Sequence, residues 1–388
     1  MVATLYAAVS TPSSRGRYRM PVEVPAPGRS KRGVRGGAGG YHRPVRIDGS
    51  VIVVTGASSG IGRATALDLA ARGARVVLLA RRAEALEQVA RECAAAAGTG
   101  GRTLVVPADV TDPDAVEAAA RAAEERFGRL DGWVNCAAVM MFGPLLDVPL
   151  ADLRRVLDVN LLGYVHGARA ALPRFAAQDA GVLVNVSSLL GRIAQPYGTA
   201  YTMSKFAIRG LSVALHEELR GAGVRGVSVV TVLPAGIDTP IYASAANHSG
   251  RVPRPPPPVY TPERVARAIV GQLHRPRREV VAGGLLGRAL VLQHVLMPRF
   301  AERVLALDVE LSLRRHGAAP PTSGSLHVPG AAPAAVDGGW GGTRRERRRR
   351  TAALVAGLVT GAAGALGVAR ARARRAGTLT RARGARRP

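Results

Sequence analysis

The sequence contains almost no lysine, although it is strongly basic. Only Lys31 and Lys205 are lysines among its 54 basic residues, so the other 52 are arginine. Arginine stays protonated, whereas the surroundings of a lysine can tune its pKa. Lys31 lies in a stretch rich in proline, glycine and arginine, so Lys205 is the one lysine in the part expected to fold. It is therefore a candidate for chemistry, the alternative being an exposed lysine on a surface helix.

Cysteine is also scarce. Cys93 and Cys136 are too few for a disulfide framework and lack the spacing of a metal site, so we expect a reducing compartment and no metal. The N-terminus has no long apolar run before its arginines, so a secretory signal is not expected. These absences favour a cytoplasmic protein, with membrane association left open.

Aromatic residues make up only 4% of the chain and are not interleaved with basic residues in its middle. Of the net charge of +27, residues 1–47 carry +8 and residues 341–388 carry +13, which leaves +6 between them. A nucleic-acid partner is therefore not indicated. We expect residues 1–47 and 370–388 to be disordered basic tails, or segments that lie against acidic membrane surfaces.

Between the tails, short β-branched runs alternate with helical patterns. Strands are expected at 51–55, 75–80, 103–108, 132–135, 181–186, 226–232 and 278–281. This alternation predicts a doubly wound α/β fold, with a Rossmann-like parallel sheet of about seven strands covered on both faces. We expect a single catalytic domain over residues 48–284.

A glycine-rich turn follows the first strand and leads into a helix. Glycine lets the backbone approach a diphosphate, and the N–H groups of a helix N-terminus point at the anion. A plain tight turn is the alternative. The residues expected to bind a dinucleotide here are Gly56, Ser58, Ser59, Gly60, Ile61 and Gly62.

The second strand ends without the carboxylate that would bind the ribose hydroxyls of NAD. Ala80 occupies that place, Arg81 and Arg82 follow it, and Arg63 lies just past the glycine turn. An arginine can pair with the 2′-phosphate of NADP, so we predict NADP(H) over NAD. The alternative is that Arg81 and Arg82 merely begin the helix at 83–97.

Tyr201 and Lys205 are four residues apart, which places them on the same face of a helix, one turn from each other. A nearby ammonium favours the phenolate of a tyrosine, whose reference pKa is about 10. Tyr201 is therefore the candidate acid/base, and Lys205 is the group expected to lower its pKa.

With these motifs in view, the chain resembles the short-chain dehydrogenase/reductase family. In that family the catalytic serine lies thirteen residues before the tyrosine, which selects Ser188 over Ser187. The remaining matches are the glycine turn, Asp109, Asn135-Cys136-Ala137-Ala138, Asn160 and Tyr201-Thr202-Met203-Ser204-Lys205, in the family's order. The family usually has glycine where this chain has Ala138, and Pro-Gly where it has Pro234-Ala235-Gly236.

The resemblance implies an oxidoreductase that transfers a hydride between NADP(H) and a carbonyl or secondary alcohol. Tyr201 would exchange a proton with the substrate oxygen, which Ser188 would hold. Lys205 would bind the nicotinamide ribose and, with the charge of the oxidised ring, lower the pKa of Tyr201. Asn160 would kink its helix and bind a water. The implied cofactor contacts outside the glycine turn are Arg81, Asp109, Val110, Asn135, Tyr201, Lys205 and Thr239.

A non-catalytic dinucleotide-binding protein that acts through its basic tails is the alternative. The joint presence of Asn160, Ser188, Tyr201 and Lys205 argues against it, because such a protein needs no such set. A small-molecule substrate is expected, and a homo-oligomer is left open. The expected pocket residues are mostly apolar and favour a lipophilic substrate, unless they are ordinary core. They are Met140, Met141, Phe142, Leu189, Leu190, Tyr197, Ile241 and Tyr242, with residues 237–261 as a flap.

The C-terminal third extends beyond the expected domain. Residues 285–316 form an amphipathic helical pattern that Pro298 should kink or split. This extension could pack on the core, form a dimer contact or lie on a membrane. Residues 317–350 have the composition of a linker with an arginine cluster. Residues 351–369 carry no charge, so they are either a membrane helix or a poorly ordered tail.

Overall fold

The computed structural model describes residues 45–98, 102–315, 317–330 and 334–342. The basic tail as far as residue 44, the arginine cluster at 344–350, the uncharged stretch 351–369 and the tail 370–388 all lie outside the described residues. The expectations for those stretches therefore remain predictions.

The strands form a seven-stranded parallel sheet and a separate pair. They are β1 (Val51–Thr55), β2 (Arg75–Ala80), β3 (Thr103–Pro107), β4 (Gly132–Asn135), β5 (Met141–Phe142), β6 (Gly181–Val186), β7 (Val227–Pro234), β8 (Ala246–Asn247) and β9 (Glu279–Ala282). The large sheet has the order β3-β2-β1-β4-β6-β7-β9, and β5 pairs with β8. The predicted doubly wound sheet is confirmed.

Helices cover both faces of the large sheet. They are α1 (Gly60–Ala71), α2 (Ala83–Ala97), α3 (Pro113–Phe127), α4 (Leu150–Leu157), α5 (Gly163–Gln178), α6 (Thr199–Gly221), α7 (Pro262–His274), α8 (Gly284–Leu296) and α9 (Pro298–Arg314). The start of α3 shows how the sequence sets these bounds. The carboxylate of Asp112 accepts the N–H groups of Asp114 and Ala115 at 3.0 and 3.1 Å, and Pro113 fits the first helical position.

Successive residues of a strand pack into opposite layers of the core. Val51 and Val53 of β1 belong to the layer that contains Trp133, whereas Ile52 and Val54 belong to the layer that contains Leu69. All five residues of β1 are buried, as expected for a central strand of a parallel sheet. The strand order reverses between β1 and β4, so a crevice opens at the carboxyl ends of these two strands, the usual place for a ligand in such sheets.

The C-terminal third packs back on the domain that contains the large sheet. The helical extension breaks at Met297, between α8 and α9, where Pro298 predicts a kink or a split. Gly287 of α8 packs close to Leu189 and Val281, so the extension contacts the core, although several of its leucines stay exposed. No helix within the described ranges has the length and apolarity needed to cross a membrane.

The stretch predicted to be a linker also packs on the domain as far as it is described. Leu326 is fully buried, and the carboxylate of Asp238 accepts backbone N–H groups of three residues between 338 and 342. The prediction fails here because these contacts are mostly made by backbone groups. A composition rich in proline, glycine and alanine therefore gives little sign of them.

Candidate active site

A cavity of about 550 Å³ lies at the carboxyl ends of β1 and β4. The glycine turn and the end of β2 form one part of its wall. Ser188, Tyr201 and Lys205 line it further along. One continuous cavity therefore joins the predicted dinucleotide residues to the predicted catalytic residues.

The glycine turn between β1 and α1 is shaped by close backbone contacts. Gly56 has φ 68°, and a Cβ there would lie 2.8 Å from the Cα of Ala137. A Cβ on Gly62 would lie 2.3 Å from the carbonyl oxygen of Gly56. Thr55 Oγ1 accepts the N–H groups of Cys136 and Ala137 at 2.9 and 3.1 Å, which ties the turn to the end of β4.

All six residues predicted to bind a dinucleotide in this turn line the cavity. Ser59 is the N-cap of α1 but makes no side-chain cap, so the helix N-terminus is not closed by its own serine. A glycine-lined turn beside a helix N-terminus fits a diphosphate. The residues present therefore fit a nicotinamide dinucleotide.

The arginines near the end of β2 differ in their surroundings. Arg81 and Arg82 line the cavity, as does Ala80. Arg63 instead forms an ion pair with Glu92 at 2.5 Å, so its charge is already matched. Arg81 thus combines a place on the cavity wall with hydrogen bonds to backbone carbonyls, and no carboxylate among the described residues is hydrogen-bonded to it.

Asp109 lines the cavity beside Arg81 and belongs to a small polar cluster. Its carboxylate accepts from Arg155 at 2.5 Å and from the hydroxyl of Thr111 at 2.9 Å. Although burial opposes the change, hydrogen bonds from Thr111 and Arg155 lower the pKa of Asp109. Asp109 is therefore ionised near neutral pH. Val110, which follows it, also lines the cavity.

Ser188 and Tyr201 both line the cavity and lie near each other, since burial raises the pKa of Tyr201 and Ser188 opposes that rise. Ser188 follows β6, and its Oγ accepts the N–H of Leu190 at 3.1 Å. The neighbouring Ser187 instead donates to the carbonyl oxygen of Lys205 at 2.8 Å. Of the two serines, Ser188 is therefore the one that influences the pKa of Tyr201.

Tyr201 is more difficult to ionise than its position beside a lysine suggests. Burial raises its pKa above the ordinary value of 10.0, while the nearby Ser188 opposes that rise. Lys205 Nζ lies 5.3 Å from the centroid of the Tyr201 ring and donates to the carbonyl oxygen of Val186 at 3.0 Å. The protein alone thus keeps the phenol protonated, in contrast to the expected lowering of its pKa by Lys205.

Lys205 is almost completely buried, with 1% of its surface exposed. Burial lowers its pKa to about 8, which agrees with the expectation that this lysine is tuned by its surroundings. Its ammonium also lies 5.2 Å from the ring centroid of Tyr164. Two aromatic rings and the carbonyl of Val186 offset only part of this cost of burial, since the pKa of Lys205 stays lowered.

Asn160 lies in a local widening of the helix between α4 and α5, the π-helical turn Asp158–Leu162. Its amide accepts the N–H of Val139 at 2.8 Å and donates to the carbonyl of Val139 at 2.9 Å. It also donates to the hydroxyl of Ser204 at 3.2 Å. Asn160 thus ties the wall of the cavity at Val139 to the helix that carries Tyr201 and Lys205.

Two of the predicted cofactor residues have different surroundings. Thr239 lines the cavity beside Gly60. Asn135 is fully buried, and its amide bonds to Trp133 Nε1, Asn185 Oδ1 and the carbonyl of Tyr164. The cavity wall at this point is formed by the next residues, from Cys136 onward. Asn135 therefore supports the wall from behind and does not face the cofactor groove.

The substrate end of the cavity is apolar. Six of the eight expected pocket residues line it, whereas Met141 packs in the core and Tyr197 contacts Gly143 through its backbone. Further apolar side chains from α8 and α9, which were not expected here, complete the wall. They are Leu286, Leu290, Val304, Leu305, Val309 and Leu313. The amphipathic pattern of 285–316 was a signal for buried contacts but did not show where the apolar face would pack.

A family model for short chain dehydrogenases matches residues 50–249 of the chain. The uncharacterized oxidoreductase YxnA of Bacillus subtilis (strain 168) is 36% identical over 262 residues, which cover 67% of this chain and 72% of that protein. The uncharacterized oxidoreductase Lmo0432 of Listeria monocytogenes is 34% identical over 233 residues, which cover 59% of this chain and 92% of that protein.

Solved structures of short-chain dehydrogenases/reductases are also similar to the chain. A metagenomic short-chain oxidoreductase in complex with NADP has a TM-score of 0.52 and 33% identity, covering 62% of this chain and 99% of that chain. A short chain dehydrogenase/reductase from Burkholderia phymatum in complex with NAD has a TM-score of 0.59 and 26% identity, covering 72% and 99%. From its sheet, its glycine turn and these similarities, the chain belongs to the short-chain dehydrogenase/reductase family of oxidoreductases.

Proposed function

We propose that the protein is an NADP(H)-dependent oxidoreductase that interconverts a lipophilic carbonyl compound and the corresponding alcohol. The observation that carries this proposal is that Ser188, Tyr201 and Lys205 line one cavity with the glycine turn, with the ammonium of Lys205 buried 5.3 Å from the centroid of the Tyr201 ring. The hydroxyls of Ser188 and Tyr201 would then bind one carbonyl oxygen together.

In the reductive direction, Tyr201 acts as the proton donor. Burial raises its pKa, so the phenol holds its proton at neutral pH and can give it to a carbonyl oxygen as negative charge develops there. Ser188 donates a second hydrogen bond to the same oxygen. Below pH 8 most of Lys205 is charged, which favours the phenolate that remains after proton transfer.

When bound, the nicotinamide dinucleotide supplies or accepts the hydride. The glycine turn would hold its diphosphate, and Thr239 would contact it near the turn. NADP(H) is favoured over NAD because Ala80 places no carboxylate at the end of β2 and Arg81 presents a guanidinium at the cavity wall.

The proposed substrate is lipophilic because the catalytic hydroxyls open onto apolar side chains. Met140 and Phe142 pack against Tyr201, and α8 and α9 add leucine and valine side chains to the same space. Burial of such a surface against an apolar substrate would stabilise the complex by roughly 25 cal/mol per Å². The few polar side chains at this end include Gln195, Asp308 and Ser312.

The central test is Tyr201→Phe in the full chain. Hydrophobic ketones and alcohols are first screened by absorbance with NADPH, NADP, NADH and NAD, and the variant is then compared with the wild type. We expect kcat to fall by about 10²–10⁴, because positioned proton transfer is lost. The Kd for NADPH, measured by fluorescence, should not change.

Tyr197→Phe is the matched control, because it removes a tyrosine hydroxyl close in sequence that does not line the cavity. It should keep wild-type turnover. Wild-type turnover by Tyr201→Phe would contradict the proposed mechanism. A wild-type protein that binds NADPH but turns over no carbonyl or alcohol would instead support the non-catalytic alternative.

A further inference from the structure

The part of the chain after α9 crosses the opening of the dinucleotide groove. We call residues 322–330 and 334–342 the strap. The strap contacts the end of β2, the N-terminus of α1 and the residue before Thr239. These three places surround the proposed site of the cofactor, so the strap lies over the groove rather than elsewhere on the surface.

At the adenosine end, the strap is held by buried and charged groups of the catalytic domain. Arg81 donates to the carbonyl oxygens of residues 325, 326 and 327 at 2.7, 3.2 and 3.4 Å. Arg155 donates to the carbonyl of Leu326 at 3.0 Å, and the Leu326 side chain is fully buried. The carboxylate of Asp152 accepts from Ser323 Oγ at 2.9 Å and contacts His327 Nε2 at 2.8 Å.

At the diphosphate end, one carboxylate holds the strap. Asp238 accepts the backbone N–H groups of Gly338, Trp340 and Gly342 at 3.0, 2.8 and 2.7 Å. The indole N–H of Trp340 donates to the carbonyl of Thr239 at 3.2 Å. The Trp340 ring also meets Tyr242, which lines the cavity, at 6.2 Å between centroids.

The strap covers the groove but does not fill it. The cavity of about 550 Å³ persists beneath it, and Ser325, Pro329 and Gly330 of the strap form part of its wall. Residues 322–342 contain a single carboxylate, Asp337, and no lysine or arginine. Arg81 is therefore met by neutral carbonyls, which do not replace the charge of a phosphate.

The hydrogen bonds of Arg81 to the strap do not use all of its donors. A guanidinium has five N–H groups, and the three carbonyls account for three of them among the described residues. Two remain, enough for the paired hydrogen bonds that arginine makes to a phosphate. The carbonyl of Ala335 takes the N–H of Gly60 at 2.9 Å, while Ile61 and Gly62 still line the cavity.

We propose that the strap is a wall of the cofactor site that closes over the adenosine half of a bound nicotinamide dinucleotide and slows its release. This inference rests on the proposed function, since it needs a dinucleotide in the groove. It assigns a role to a stretch whose composition is that of a linker.

Glycine-to-alanine substitutions test the proposal with the smallest change in chemistry. A Cβ on Gly338 would lie 2.3 Å from the carbonyl oxygen of Thr239, and a Cβ on Gly324 would lie 2.5 Å from two carbonyl oxygens. Gly338→Ala and Gly324→Ala should therefore displace the strap. Gly317→Ala is the matched control, because a Cβ there meets nothing within 4 Å and the position precedes the strap.

The rate of NADPH release from the full-length protein is measured by stopped-flow fluorescence with excess NADP as competitor. We expect release to be roughly tenfold faster in Gly338→Ala and Gly324→Ala, the equivalent of one lost charge-assisted hydrogen bond, and unchanged in Gly317→Ala. Release that is unchanged or slower in both strap variants would overturn the proposal. Slower release would make the strap a competitor of the cofactor.

Hydrogen exchange of the wild type provides a second measurement that needs no variant. NADPH should slow amide exchange at residues 322–330 and 334–342 if the strap closes over it. Faster or unchanged exchange on NADPH binding would contradict the proposal. If no protein in the series binds NADPH or NADH at all, the proposed function itself fails, an outcome distinct from binding with unaltered release.

Discussion

The two ends of the cavity are built in different ways. At the proposed catalytic end, Ser188 follows β6, and Tyr201 and Lys205 belong to α6, the next long helix. Lys205 Nζ lies 5.3 Å from the centroid of the Tyr201 ring and donates to the carbonyl of Val186. At the adenosine end, Arg81 is held by backbone carbonyls about 245 residues later in the chain. The catalytic end therefore depends on side chains at short separations, and the adenosine end depends on backbone contacts at very long ones.

This difference has consequences for mutation. Loss of a proposed catalytic side chain should slow the chemical step and leave the strap in place over the groove. Loss of a strap contact should change cofactor release and local order and leave the chemistry intact. Substitutions at the two ends of the cavity should therefore have separable effects on turnover and on cofactor release.

Ser188→Ala should give the largest effect in this group. Removing one hydroxyl that stabilises the substrate oxygen should lower kcat by about 10²–10³, as for the loss of one oxyanion donor. Global stability should change little, because the Oγ of Ser188 accepts a single N–H, that of Leu190, among the described residues. Steady-state kinetics and thermal unfolding of the same sample provide the two readouts.

Ser187→Ala is the control for that prediction. It should lower the stability of the protein and leave kcat nearly unchanged. Its Oγ donates to the carbonyl of Lys205, which would be left without this partner, at a cost of about 1–3 kcal/mol in the free energy of unfolding. Equal losses of kcat in Ser187→Ala and Ser188→Ala would contradict a catalytic role for Ser188 and a structural role for Ser187.

Lys205→Met tests the burial of charge at the catalytic end. The pKa of Lys205 is lowered from 10.5 to about 8, so between these values the unfolded chain binds a proton that the folded protein does not. The free energy of unfolding of the wild type should therefore rise with pH in this window, by up to about 1.4 kcal/mol per pH unit relative to Lys205→Met. Denaturant unfolding at pH 7, 8, 9 and 10 measures the difference.

Lys31→Met, which removes the other lysine of the chain, is the matched control. Because the sequence predicts a solvated tail there, this variant should follow the wild-type pH dependence. Parallel curves for the wild type and Lys205→Met would show that the ammonium of Lys205 is not destabilised by burial.

Much of the catalytic end could be predicted because it is encoded locally. The spacing of Tyr201 and Lys205 places them on one helical face, and the glycine turn follows its strand directly. The spacing could not show whether burial or neighbouring groups would decide the direction of the pKa shift of Tyr201. Burial raises the pKa of Tyr201, and the group that opposes the rise is Ser188, not Lys205.

The strap could not be predicted for a related reason. Its hydrogen bonds come mainly from carbonyl and N–H groups, which every residue has, and its partners are far away in the sequence. Leu326 and Trp340 were the available signals, since each is a large apolar side chain within a stretch rich in glycine and alanine. Neither side chain indicates by itself which surface it would contact.

Leu326→Ala tests the apolar contact of the strap. Leu326 is fully buried, so truncation should cost about 2 kcal/mol, at the low end for a core leucine because the strap can detach by itself. This corresponds to amide exchange in the strap that is roughly 30-fold faster, with little change in β1 or β4. Val328→Ala is the control, because Val328 is 71% exposed and should leave exchange unchanged. Faster exchange throughout the sheet would show that strap and core unfold together.

Arg81→Ala should have the smallest effect and separates the two roles of this guanidinium. As a contact of the strap, Arg81 stabilises NADPH and NADH binding equally. As a partner of the 2′-phosphate, it stabilises NADPH alone. We expect the preference for NADPH, measured as the ratio of the two Kd values, to fall by roughly tenfold, the value of one charged hydrogen bond.

Gly338→Ala, which loosens the strap without removing charge, should weaken the binding of both cofactors and leave the ratio of their Kd values unchanged. A ratio that is unaffected by Arg81→Ala would mean that Arg81 serves the strap alone and that the choice of cofactor is made elsewhere on the groove.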